Sequence, residues 1–337
     1  MKQSKFLNES QNKMNKKNEN EKSFRPQKLA EYFGQEQIKK ILFVYLEASK
    51  KRNETIDHLL FYGPPGLGKT TLAKIISNEL GVNFKVVSGA NIERIGDLAT
   101  VLSTLETGDI LFIDEIHSIP KNVEEILYTA MEDYVLDIII GKNEEKRTLR
   151  IDLPPFSLIG ATTKFGKIAF PLRDRFGLVL KLDFYNHDEL KLILKRTADY
   201  YGNQIEETAL DELAKRSRGT PRVANRLFRR VRDFAEVYSQ KIINQEITLK
   251  TLKRLKIDEN GLNDIDFDYL NNLVNKFNGG PVGIKNLAVT IGEEMLTVEE
   301  VVEPYLIKEG YLKRTSRGRM ATEATFELLN KKNNKND

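Results

Sequence analysis

The sequence has no cysteine, no tryptophan and only three histidines, His58, His117 and His187. Without thiols there is no disulfide, no thiolate nucleophile and no cysteine-ligated zinc, and three scattered imidazoles argue against a histidine metal site. No apolar run approaches the roughly 20 residues that a membrane helix needs, and the N-terminus lacks a signal-peptide pattern, so the expected location is cytoplasmic. Charge of one sign is also missing: 53 Lys and Arg stand against 49 Asp and Glu, a net charge of +4 over 337 residues. That length fits two or three domains, and 40% hydrophobic with 30% charged residues describes a soluble globular protein.

What is present is concentrated in Gly63 to Thr70, reading GPPGLGKT, between the apolar runs Leu59–Tyr62 and Leu72–Ile76. A buried strand delivering a glycine-rich loop to a helix N-terminus is the arrangement that turns backbone N–H groups onto phosphate oxygens. Gly63, Gly66 and Gly68 form the loop, Lys69 is expected on the β- and γ-phosphates, Thr70 on Mg²⁺, and Thr71 beside it. The expected cofactors are therefore ATP and Mg²⁺, and the only metal is the one that arrives with the nucleotide.

The run Ile110–Ile113 ends in Asp114 and Glu115, a buried parallel strand carrying two carboxylates at its C-terminal edge. Asp114 is expected to hold Mg²⁺ through water, and Glu115 to polarise the attacking water as general base. Ser157–Thr163 reads as another buried strand, with Thr163 placed to sense the γ-phosphate. Segments 135–141 and 149–153 flank a polar turn and read as a β-hairpin whose Ile138–Ile140 run suits either burial or a docking surface. Arg175 fits no role in its own site; it either reaches a neighbouring subunit's phosphate or pairs on the surface. Arg25 either leans on the nucleotide or sits on the surface.

Residues 186–256 read as helical. Gly219-Thr220-Pro221 stops one helix and starts another, with Arg222 in the new first turn. The run Lys215–Arg232 holds eight basic residues and no acidic one, and Lys313–Arg319 four in seven; each suits a polyanion or a solvated face. Residues 257–329 read as three helices and a basic hairpin, a winged helix, whose third helix carries Glu299, Glu300 and Glu303. Those acids would repel phosphates in a major groove, so contact through the wing to the DNA backbone is expected. Residues 1–22 and 330–337 read as disordered tails.

Assembled, these residues resemble the RuvB family of bacterial AAA+ motors from about Phe24 to Phe326. The resemblance rests on FRP at 24–26, DEIH at 114–117, AMEDY at 130–134, IDLPPF at 151–156, GATT at 160–163, PLRDRFG at 171–177, RGTPRVANRL at 218–227, FNGGPVG at 277–283 and RTSRGRMAT at 314–322. It implies an α/β fold: an AAA+ P-loop core with a parallel sheet (23–185), an all-α lid (186–256) and a winged-helix head (257–329). It further implies sensor roles for Thr163 and Arg222, a trans-acting finger at Arg175, and Phe24, Arg25, Glu132, Asp133, Tyr134 and Tyr185 around the nucleotide. The hairpin at 135–153 becomes the docking element for RuvA, with RuvC a further partner in the resolvasome. Arg314 and Arg319, with Arg317 between them, become duplex contacts, and a finger acting in trans requires a ring, expected to be a homohexamer on DNA. Two positions depart from the family pattern: Thr129 stands where proline is usual, and Met295 where a basic residue is common.

The expected function is an ATP-driven translocase on double-stranded DNA that moves Holliday junctions during recombinational repair. A nucleotide-switched clamp or loader shares the ATPase motifs but not the need for processive movement. A small-molecule kinase has no use for a winged head, and Glu115 would waste its ATP.

Overall fold

The computed structural model describes residues 25–140 and 147–333. Phe24, the N-terminal tail and the hairpin turn around 142–146 lie outside the described residues, as do the side chains of the Ile138–Ile140 run. Two compact units are present: the described part of Met1–Tyr200 with Thr220–Arg222, and Tyr201–Gly219 with Val223 onward.

The first unit is built on a five-stranded parallel sheet. Its strands are β1 (Leu59–Tyr62), β2 (Phe84–Ser88), β3 (Ile110–Asp114), β6 (Ser157–Thr162) and β7 (Leu178–Lys181), in the order β2-β3-β6-β1-β7. Every residue of β6 and the first four of β3 are buried, as central strands covered on both faces must be. The hairpin strands β4 (Val135–Ile140) and β5 (Arg147–Asp152) form a separate antiparallel pair.

Helices α1 (Glu36–Arg52), α2 (Lys69–Leu80), α3 (Ile95–Leu102), α4 (Lys121–Glu132), α5 (Phe170–Asp174) and α6 (His187–Tyr200) complete this unit. Gly81 ends α2 in the left-handed region at φ 70°, where its N–H returns to the carbonyls of Ser77 and Asn78. Because all five strands run the same way, the loops after β1, β3 and β6 share one edge of the sheet. The segments before β1, β6 and β7 share the other. A four-residue strand separates the two edges by about 13 Å.

Helix α8 (Pro221–Val237) starts at the proline, as the sequence signals, and buries Ala224, Leu227, Phe228, Val231 and Ala235. Each fully buried Leu or Phe contributes roughly 1.5–3 kcal/mol. The second unit also contains α7 (Glu207–Lys215), α9 (Gln245–Arg254) and a two-residue parallel ladder, β8 (Gln204–Ile205) with β9 (Ile242–Ile243), that the helical reading of 186–256 does not anticipate.

Its head region packs α10 (Asp264–Asn275) and α11 (Ile284–Ile291) around Tyr269, Leu270, Leu273 and Leu287. The third helix is broken into Met295–Thr297, a π-helical turn Val298–Val302, and α12 (Glu303–Lys308). Pro304 supplies the cause: it has no N–H for the carbonyl of Glu300 and crowds the preceding turn, which widens. The wing is β10 (Leu312–Thr315) paired with β11 (Gly318–Ala321). Then α13 (Glu323–Asn333) follows, so the head extends beyond 329 and the reading of 330–333 as disordered is corrected. Leu329 explains why, since it is buried in the head core and carries the helix past the wing.

Candidate functional site: a phosphate loop and two carboxylates at one sheet edge

The loop after β1 is shaped to bring backbone close to a ligand. Gly66 and Gly68 have φ of 82° and 98°, and a Cβ at Gly68 would lie 2.7 Å from the Tyr32 hydroxyl. Lys69 is buried, and its Nζ donates to Gly63 O at 2.8 Å and Pro64 O at 3.0 Å. Burial lowers its pKa, which the nearby Glu115 and Asp114 partly restore. Thr70 and Thr71 lie on the first turn of α2.

Asp114 closes β3, and its Oδ1 accepts the Glu115 N–H at 3.1 Å. Burial raises the Asp114 carboxyl, and the Glu115 charge beside it raises it further. Glu115 itself has a left-handed backbone, φ 48°, unusual for a residue with a side chain and costing on the order of 1 kcal/mol. That turn aims its carboxylate at the end of β6: Oε2 accepts from Thr163 N at 3.2 Å and Thr163 Oγ1 at 3.1 Å. His117 Nδ1 lies 3.1 Å from the same Oε2 and 2.9 Å from Thr162 Oγ1. The three contacts to the Glu115 carboxylate all engage Oε2. Glu115, Asp114, Thr163 and the loop therefore converge on one edge.

Two further expected residues reach this edge. The backbone N–H of Arg222 donates to Gly66 O at 3.3 Å, and a Cβ on Gly66 would sit 2.9 Å from that of Arg222. Tyr185 is buried, with its hydroxyl 3.1 Å from Leu67 O inside the loop. Burial pushes that hydroxyl up to about 12. Arg25 is exposed, and the segment after it lies along the far half of α2, where Asn78 donates to Gln27 O and Glu79 accepts from Leu29 N.

Glu132, Asp133, Tyr134 and Arg175 are not brought to this loop. Tyr134 packs near His58 and Phe156, which precede β1 and β6, at ring separations of 6.5 and 5.8 Å. Arg175 precedes β7; its Nη2 donates to Glu132 Oε2 at 2.8 Å, Nη1 donates to Pro171 O, and the guanidinium lies 4.6 Å from the Tyr128 ring. These four residues lie toward the opposite edge of the sheet from the chain's own phosphate loop.

Several participants escape a sequence reading. Tyr32 shares Leu67 O with Tyr185, and the two hydroxyls are 2.8 Å apart. Gly89 admits the loop carrying Glu115, since a Cβ there would stand 2.5 Å from Glu115 O. The SGAN turn after β2 is the only signal for Gly89, and nothing local marks Tyr32. Among the described residues no three His, Asp or Glu side chains cluster as a metal site. A loop threonine and one strand-end carboxylate are a donor set that fits a metal sharing its ligands with a nucleotide.

In the second unit, Arg317 is exposed on the wing, while Arg314 and Arg319 both pair with Glu303. Glu303 is fully buried and does not face a groove, which corrects the expectation for that acid. Within the basic run 215–232, Arg216 forms an ion pair with Glu212, Arg218 with Asp266, and Arg230 and Arg232 with Asp233.

Comparison with known proteins agrees with this arrangement. Three family profiles cover the chain in sequence: the Holliday junction DNA helicase RuvB P-loop domain over 24–182, the RuvB AAA lid domain over 185–258, and the RuvB C-terminal winged helix domain over 259–330. The chain is 62% identical over 311 residues to the Holliday junction branch migration complex subunit RuvB of Phytoplasma mali, covering 92% of this chain and 94% of that one. It is 54% identical over 317 residues to the subunit of the same name from Staphylococcus saprophyticus, covering 94% and 95%. The solved Thermotoga maritima RuvB Holliday junction branch migration motor superposes with a TM-score of 0.83 at 48% identity, covering 91% of this chain and 98% of that one. With profiles spanning nearly all of residues 24–330 and relatives this similar, the chain belongs to the RuvB family.

Proposed function

We propose that the chain is an ATP hydrolase that drives branch migration of Holliday junctions by moving on double-stranded DNA. The observation that carries this reading is Glu115, held beside Asp114 and Lys69 at the mouth of a phosphate loop, in a chain that ends in a winged helix. ATP with Mg²⁺ supplies the electrophilic phosphoryl group and the charge that neutralises its oxygens. Lys69 and the loop N–H groups bind the phosphates, while Thr70 and Asp114 hold the metal. Glu115 takes the proton of the attacking water, its carboxylate oriented through Oε2 by Thr163 and His117. Arg222, whose backbone joins Gly66, reports on the phosphate to α8.

Arg175 serves a neighbouring subunit's nucleotide together with Glu132, Asp133 and Tyr134. The support is their common position about 13 Å away on the opposite sheet edge. This arrangement needs a ring, and a homohexamer around the duplex is the expected form. The hairpin 135–153 receives RuvA, and Arg314, Arg317 and Arg319 meet the DNA backbone. RuvC is a further partner, and the cytoplasm is the expected compartment. The boundaries 23–185, 186–256 and 257–329 remain the proposed division into ATPase core, lid and head, the last extended through α13.

The test is ATP-dependent dissociation of a synthetic four-way junction by the purified chain, with and without RuvA. Dissociation should require ATP, vanish in Lys69→Ala, and stall in Glu115→Gln while ATP still binds. Hydrolysis with a bound but undissociated junction would instead favour a switch or loader.

A further inference from the structure

The wing presents two arginines at one cross-strand position, Arg314 opposite Arg319. Like charges facing each other across a strand pair are destabilising unless something anionic stands between them. Here it is Glu303, with no exposed surface. Its Oε1 accepts from Arg319 Nε at 3.0 Å and from the Tyr269 hydroxyl at 3.1 Å. Its Oε2 accepts from Arg314 Nε at 2.7 Å and from Arg319 Nη2 at 3.3 Å. One buried carboxylate thus orients two guanidinium planes. Arg314 also turns toward Glu299, its Nη2 donating to Glu299 O at 3.3 Å and its Nη1 lying 4.0 Å from Glu299 Oε1, and Arg314 stays 42% exposed.

The scaffold around this cluster is closely fixed. The Arg319 backbone exchanges hydrogen bonds with Val282 at 2.8 and 3.0 Å. A Cβ at Gly280 would lie 2.2 Å from Arg319 O, so only glycine permits that approach. Glu303 directly follows the π-helical turn ahead of Pro304 and is buried.

We infer that Glu303 is a positioning residue for DNA: it holds Arg314 and Arg319 as a preset pair of phosphate donors on the wing. This rests on the reading of the wing as the duplex-contacting element. An acid this close to a phosphate site would, by charge alone, weaken binding. Positioning makes the opposite claim, because the arginines lose little freedom on meeting phosphate when their planes are already fixed.

The experiment measures binding of a fluorescent 30-base-pair duplex by the full chain across a salt series. Glu303→Gln, which removes a negative charge, is expected to weaken binding roughly tenfold and to make the salt slope shallower by about 1 to 2. Glu299→Gln removes the exposed carboxylate that lies 4.0 Å from Arg314 Nη1 while leaving the buried anchor in place, and is expected to bind as tightly as the parent or more so. In a background already carrying Arg314→Ala and Arg319→Ala, adding Glu303→Gln should cost nothing further. Circular dichroism melting checks that the head folds. If Glu303→Gln melts, Tyr269→Phe substitutes for it, removing only one donor to Oε1, with a loss of about twofold expected. Unchanged or tighter binding by Glu303→Gln, or by Tyr269→Phe where it stands in, overturns the inference while leaving the wing reading intact. If the arginine pair variant itself binds normally, the wing reading fails first.

Discussion

Two hydroxyls, from Tyr32 and Tyr185, converge on the carbonyl of Leu67 in the middle of the phosphate loop, at 3.2 and 3.1 Å. They also lie 2.8 Å from each other, so three oxygens share two protons. Replacing either tyrosine by phenylalanine leaves the other hydroxyl free to donate to Leu67 O. The loss is then one neutral hydrogen bond, about 0.5–1.5 kcal/mol. Replacing both strands a fully buried carbonyl, which costs about 1–3 kcal/mol in addition. The double variant should therefore exceed the sum of the singles by about 1 kcal/mol or more. Two readouts check this: thermal melting of the ATPase unit, where about 1 kcal/mol shifts Tm by roughly 2–4 °C for a domain of this size, and ATP affinity, because Leu67 O orients the amides of Gly68 and Lys69. Additivity within about 0.3 kcal/mol would refute the shared-carbonyl account.

Other outcomes follow from the same geometry. Gly68→Ala should impair nucleotide binding in equilibrium titration, since its Cβ would meet the Tyr32 hydroxyl at a φ of 98°. Arg175→Ala should lose ATPase activity yet recover part of it when mixed with Glu115→Gln chains; no recovery at any ratio would sink action in trans. His58 accepts the Leu158 N–H on Nδ1 at 2.8 Å, and Nε2 donates to Met131 O at 2.9 Å, so the folded state holds it neutral and burial lowers its pKa. Its contribution is intact above about pH 6.5 and is lost as pH falls below that value at up to about 1.4 kcal/mol per unit, until the folded imidazole protonates. Denaturant titrations between pH 7 and 5 should show a flatter decline in His58→Gln, which keeps a donor and an acceptor but does not titrate.

Punctuated local signals were legible in the sequence. Gly81 ends α2, Pro221 starts α8, and the apolar runs that become β1, β3 and β6 declare both their burial and their direction. The chemistry hung on those strands was equally readable, because Asp114, Glu115 and Thr163 sit at strand ends and Lys69 opens the helix that follows the glycine-rich loop. What escaped depends on contacts distant along the chain. Tyr32 and Tyr185 are 153 positions apart, and Arg175 finds Glu132 across 43. By sequence Glu303 groups with Glu299 and Glu300 as an acid that would repel phosphates. Its burial goes with a π-helical turn, Val298–Val302, that no local sequence signal but Pro304 marks. The basic stretch 215–232 suits a polyanion or a solvated face by sequence; Glu212 and Asp233 border it, but the Asp266 that pairs with Arg218 lies 48 positions away.

The opposite-edge placement of Lys69 and Arg175 has a genetic counterpart. If each site is completed by a neighbour, a lesion at the loop edge and a lesion at the Glu132–Arg175 edge damage different halves of one composite centre. Alleles of these two kinds, expressed together, would restore some intact sites at the junctions between unlike subunits. A single gene would then behave as two complementation groups, divided by the width of its own sheet.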